Sequence, residues 1–198
     1  MANVSRPSGL SPVGYLNGAA WNGQARTYYI PSADTNAFAI GDPVVLAGSA
    51  DANGVPSVTL ATVGSGALTV GPIVGIGEQE DVIGNINTPN TIIAPATKAR
   101  AYYVLVADDP NIIFEIQEGG TGTALAATSV GLNADYVSAA NNGYLSGWMF
   151  DGATTTTGSG YQLKLLGLAR RSDNAFGTYA KWLVLINSHM YRPPSIGL

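Results

Sequence analysis

His189 is the only histidine in the chain, so a Ser-His-Asp relay would have to pass through it, and no G-x-S-x-G turn supplies the nucleophile. A lone histidine near the end of a strand more often spends a ring nitrogen on the backbone, and His189 reads that way. Paired carboxylates for glycoside chemistry could come from Asp108 and Asp109, from Glu115 and Glu118, or from Glu78, Glu80 and Asp81. The first pair sits in a turn sequence, where Asp is favoured for its bonds to nearby backbone, and the others read as solvated strand-end and loop acids. Asp51-x-Asn53-Gly54 resembles a fragment of a calcium loop but has no glutamate at the required distance. Gly64-Ser65-Gly66 and Gly75-Ile76-Gly77 miss the dinucleotide fingerprint and precede no helical pattern. Asn3-Val4-Ser5 matches the glycosylation triplet, but the N-terminal stretch lacks the apolar run of a signal peptide. These residues predict no catalytic site, no cofactor and no metal.

The elements around them are strands. Tyr102–Val106 is apolar on both faces, while Ile112, Phe114 and Ile116 alternate with Ile113, Glu115 and Gln117, the period of a strand with one buried face. Asp108-Asp109-Pro110-Asn111 between them predicts a reversal and hence a buried hairpin. Asn53-Gly54 predicts a second hairpin through a type I′ turn, with Val44–Ala47 before it and Val58–Val63 after it. Ala67–Val70 and Pro72–Ile76 read as one bent strand or two short ones, and Tyr161–Ala169 and Ala180–Asn187 as the last two strong strands. One short helix is expected near Ala124–Ala127, capped by Thr121 or Thr123.

Some ten short strands spaced by roughly 8–12 residues, broken by 25 glycines and 11 prolines, predict an all-β fold: an antiparallel sandwich, jelly roll or barrel with little helix. Residues 1–27 carry turn formers without periodicity and read as an extended N-terminal arm ahead of a single β-rich domain, 28–198. Leu10, Val13, Tyr15, Leu16 and Trp21 stud this arm. A disordered tail would lack such anchors, so they are the candidate partner-binding residues.

The 198 residues suffice for one domain with a real core. Charged residues make up only 11%, well under the roughly 25% of an average soluble domain. Two explanations stand side by side: a surface covered by partners in an assembly, or one made of Ser, Thr, Asn and Gly. A net charge of −4, with Arg170-Arg171 the only adjacent cations, disfavours nucleic-acid binding. Without cysteine there are no disulfides and no thiolate chemistry. No stretch approaches the ~18 uninterrupted apolar residues of a membrane span.

Three stretches together resemble a family of tailed-bacteriophage virion proteins that cement or decorate the head: VLVADDPNIIFEIQ at 104–117, LAATSVGLNADYV at 125–137 and KLLGLARRSDNAFGTYAKWLVLINSH at 164–189. The N-terminal MANVSRPSGLSPVGYLNG has the same flavour. The resemblance implies a β-sandwich or jelly-roll subunit, assembled in the bacterial cytoplasm and placed on the outer face of the virion head. There it would bind the major capsid protein and itself, as a dimer or trimer. A receptor- or glycan-binding tail-fibre module is the alternative.

Overall fold

The computed structural model describes residues 3–77, 91–122, 124–193 and 197. The chain is all-β. Its early strands are β1 (Ser11–Tyr15), β2 (Arg26–Ile30), β3 (Phe38–Ala39), β4 (Pro43–Ala50), β5 (Pro56–Leu60), β6 (Gly71–Gly77) and β7 (Ile93–Ala94). After them come β8 (Tyr102–Val106), β9 (Ile112–Gln117), β10 (Asn133–Ala134), β11 (Tyr136–Val137), β12 (Met149–Phe150), β13 (Leu163–Leu168) and β14 (Lys181–Ile186). Among the described residues, helix is limited to 3₁₀ turns at Ala127–Ser129 and Gly152–Thr154. Thr121 caps no helix: its hydroxyl donates to Asp151 Oδ1, while Thr123 lies outside the described residues.

Two sheets organise the fold. Strands β2-β5-β4-β6-β8 form a closed barrel, completed by a parallel contact between β2 and β5 in which Tyr29 faces Ser57; its other pairings are antiparallel. Closure leaves this sheet no free edge. The second sheet runs β1-β9-β14-β13-β10, all antiparallel. Each has its own apolar cluster, one around Tyr28, Phe38, Ile73 and Val104, the other around Phe114, Phe150, Leu163 and Trp182. Ala61, Ala107 and Val74 carry the barrel wall onto the second cluster, so the two share a packed boundary.

The hairpin expected at 102–117 does not form. Both runs are strands, and Ile112, Phe114 and Ile116 are buried on one face as their alternation predicts. But β8 pairs with β2 and β6 and has no edge left for β9, which pairs instead with β1 and β14. Asp108–Asn111 is therefore the crossover from barrel to sheet. Gly71 marks how tightly it is held, since a Cβ there would lie 2.1 Å from the Ala107 carbonyl oxygen.

The β4–β5 hairpin does form, with a different turn. Gly54 alone adopts positive φ, at 85°, so this is no type I′ pair. Asp51 explains the difference: its Oδ1 accepts from the amides of Asn53 and Val55 at 2.9 and 2.8 Å, which holds a longer loop.

Candidate interaction surface

Part of the arm is laid on this chain's own domain. β1 pairs with β9 at the edge of the sheet, and the register breaks between Pro12 and Gly14, leaving Val13 as a bulge. The chain then doubles back, with Tyr15 N donating to Ala19 O at 2.8 Å and Gly14 bridged to Ala20, so residues 19–21 cover the outer edge of β1. Leu10 is 1% exposed inside the second cluster, and Tyr15 and Trp21 pack partly buried against it. Trp21 Nε1 donates to Gln24 O at 3.3 Å, and Tyr15 reaches the Gln24 side chain. Val13 and Leu16 stand outward at 44% and 50% exposure. The five candidate residues thus divide into three anchors and two presented side chains.

Beside the anchors is a shallow cavity of about 240 Å³ at the boundary of barrel and sheet, lined by Leu10, Pro12, Trp21, Ile40, Val74 and Leu145 among others. Next in sequence to its lining residue Gly41 is Asp42, 3% exposed, whose carboxylate accepts from Ala39 N at 2.7 Å and from the Ser146 hydroxyl. No cation pairs with it among the described residues. Burial pushes this carboxyl up to about 6, and those two hydrogen bonds only partly offset the desolvation.

The residues screened for catalysis are dispersed into structural roles. His189 is 2% exposed; its Nδ1 accepts from Tyr191 N at 3.0 Å. Burial, reinforced by the nearby Arg192 charge, lowers its pKa to about 4, so the ring is neutral near pH 7. Asp108 does not orient it. That carboxylate accepts from the Tyr28 hydroxyl at 2.7 Å and lies 3.3 Å from Arg26 Nε. Asp109 caps its own turn through Asn111 N. Glu115 pairs with Arg171 and Lys181, whereas Glu118, 1% exposed, accepts from Tyr179 N. Gly64 and Gly66 donate their amides to Gln162 and Gly160, and so do not form a phosphate cradle. The Asn3 amide is spent on the carbonyls of Ala175 and Thr178. Glu78, Glu80 and Asp81 lie outside the described residues. Among the described residues no group of three or more acids and histidines could hold a metal ion.

Sequence reasoning missed Asp42 and the Tyr28–Asp108 contact. Asp42 sits in Gly41-Asp42-Pro43, which reads simply as a turn, and Tyr28 and Asp108 are too far apart in the chain for any spacing rule to pair them. No protein-family model, curated protein or solved structure matches the chain.

Proposed function

We propose that the chain is a cement or decoration subunit of a tailed-phage head, a non-enzymatic protein that binds the outer surface of the major capsid protein shell and stabilises it. The observation that carries the reading is the N-terminal segment: Leu10, Tyr15 and Trp21 hold it to the domain while Val13 and Leu16 are presented outward at a bulged sheet edge. A segment held in this way presents apolar side chains with little ordering cost left for binding. The resemblance of 104–117, 125–137 and 164–189 to head-decorating proteins supports it, as does a composition of 11% charged residues. Self-association as a dimer or trimer belongs to the same proposal. A subunit touching several shell chains links them through effective concentration, so modest contacts add up.

The tail-fibre alternative has weaker support. Tyr144, Phe176 and Tyr191 are exposed aromatics, but among the described residues none of the three rings stacks on another, so they form no platform for a sugar.

The experiment adds wild-type protein and the Val13→Asp/Leu16→Asp variant to heads lacking the protein, and measures occupancy and the temperature of rupture. Wild type should decorate and stabilise the heads. The variant, equally well folded, should lose at least about tenfold in affinity, the effect of about 1.4 kcal/mol. Wild type that leaves heads bare, or a variant that binds as well, refutes the reading.

A further inference from the structure

The chain has nine lysines and arginines in 198 residues, and three of them, Arg6, Arg171 and Lys181, line one cavity of about 260 Å³. Arg170 flanks it in sequence. In a chain of net charge −4 this is a local clustering of cations.

Its walls are held by polar side chains, Gln117 buried and Asn174 half-buried. Gln117, 2% exposed, uses its whole amide on the backbone around the cavity: Oε1 accepts from Arg6 N at 2.7 Å, and Nε2 donates to Val4 O at 2.9 Å and Tyr179 O at 2.8 Å. Asn174 clamps the opposite loop, donating to the carbonyls of Ala169 and Lys181 and accepting from Lys181 N. Tyr179, on the rim, has φ of 60°, the only non-glycine at positive φ among the described residues. Such a conformation is strained for a residue with a side chain and persists only where its surroundings dictate it. Here the buried carboxylate of Glu118 takes its amide at 2.8 Å and Gln117 its carbonyl.

The charges inside are unevenly matched. Glu115 Oε1 already lies 2.8 Å from Arg171 Nη1 and 3.4 Å from Lys181 Nζ, and Asp173 lies 3.4 Å from Arg171 Nε. Arg171 and Lys181 are thus matched by Glu115 and Asp173, while the Glu118 carboxylate is spent on the Tyr179 amide and the Arg6 guanidinium has no ion pair among the described residues. Surface ion pairs alone would contribute little to stability. That accounts for Glu115 and Asp173 but gives Arg6 no structural task, although the strap carrying it is tied down at Asn3, Val4 and its own amide.

We propose that this cavity docks an acidic segment of a partner protein, taking a Glu or Asp carboxylate against Arg6 and Arg171. Glu115 shows the chemistry in place, a carboxylate oxygen shared by a guanidinium and an ammonium, and arginine is suited to the task by its planar fork of donors. An extended polyanion such as nucleic acid would need a continuous track of cations, whereas here the carboxylates of Glu115 and Asp173 interrupt them. The inference specifies the chemistry of the partner in the binding role proposed above, and it holds whether or not that partner is a capsid subunit.

The test is a nuclear magnetic resonance titration of the full chain with an acetylated, amidated tetra-glutamate peptide, with tetra-glutamine and inorganic phosphate as the other arms. Saturable shifts should be confined to residues 3–6, 115–118 and 171–181, absent with tetra-glutamine and weakened on raising salt from about 50 to about 500 mM. Arg6→Gln/Arg171→Gln should weaken binding at least about tenfold. Because Arg171→Gln also breaks a native ion pair, Arg6→Gln alone serves as the second variant, expected to weaken binding without changing the melting temperature. Absent or scattered shifts, indifference to both variants, equal binding of tetra-glutamine, or phosphate binding as tightly as the peptide would each overturn the proposal. Heads decorated by a chain that ignores the peptide would sink this inference alone; peptide binding with bare heads would sink the head-binding role alone.

Discussion

Tyr28 donates its phenolic hydrogen to Asp108 Oδ2 at 2.7 Å, across 80 residues of sequence, and the same hydroxyl lies 3.1 Å from that of Tyr191. The contact joins barrel strand β2 to the crossover that leads into the second sheet, and a third partner comes from the C-terminal segment. Burial is the main reason the Tyr28 hydroxyl holds its proton far above the usual range for a phenol, with the Tyr191 and Asp108 contacts adding to it. Tyr28→Phe keeps the ring in the barrel core but leaves a mostly buried carboxylate with one donor fewer. The expected cost is about 1.5–3 kcal/mol, the range for a hydrogen bond to a charged group. Urea unfolding measures it, and a cost under about 0.5 kcal/mol would mean that the crossover is not held by this contact.

Asp42 and His189 give opposite pH dependences. Asp42 has a folded pKa of about 6 against an ordinary 3.8, so the fold favours its protonated form; that contribution is complete below about pH 4 and is lost as pH rises through 6. His189 has a folded pKa of about 4 against 6.5, so the fold favours its neutral form; that contribution is complete above about pH 6.5 and is lost as pH falls to 4. Each is worth about 3 kcal/mol, because every tenfold change in proton affinity on folding corresponds to about 1.4 kcal/mol. The two nearly cancel between pH 4 and 6.5. Asp42→Asn, whose amide oxygen can still accept from Ala39 N, should exceed wild-type stability above pH 6 and lose that advantage at pH 4, making the variant acid-sensitive. His189→Asn should show the reverse slope. Denaturant melts from pH 4 to 8 check both, and parallel curves for wild type and Asp42→Asn would rule out the ionisable role given to Asp42.

Phe114 is 1% exposed, opposite Pro12 on one neighbouring strand and Val184 on the other. Phe114→Ala should cost about 3–5 kcal/mol through the transfer and cavity terms together. A loss below about 1 kcal/mol would show that the face is not core.

Removing residues 1–21 should do more than abolish partner binding. It strips β1 from β9, opens a sheet edge and takes Leu10 out of the core. Leu10→Ala alone should cost about 2–5 kcal/mol. Val13→Asp and Leu16→Asp, at exposed positions, should stay within about 0.5 kcal/mol of wild type. Thermal melts of the four proteins decide it, and a truncated chain as stable as the full one would place the whole segment outside the fold.

Local structure was legible along the chain. Alternation of two placed the buried face of Ile112, Phe114 and Ile116, and the doubly apolar runs marked Tyr102–Val106 as a strand covered on both sides. Gly54 and Asp51 made their hairpin, because turn chemistry acts within a few residues. The choice of strand partners was settled in three dimensions. Asp108-Asp109-Pro110-Asn111 is a competent turn wherever it leads, and it became a crossover because barrel closure had already taken both edges of β8. The candidate surface divides the same way. Apolar residues at 10, 13, 15, 16 and 21 could be counted along the chain, but which of them anchor and which are presented depended on a bulge at Val13 and on a core that Leu10 could enter. Asp42, Glu118 and Gln117 look like ordinary surface residues in the sequence. Burial and partners brought from distant segments gave them their roles, and neither composition nor spacing carries that information.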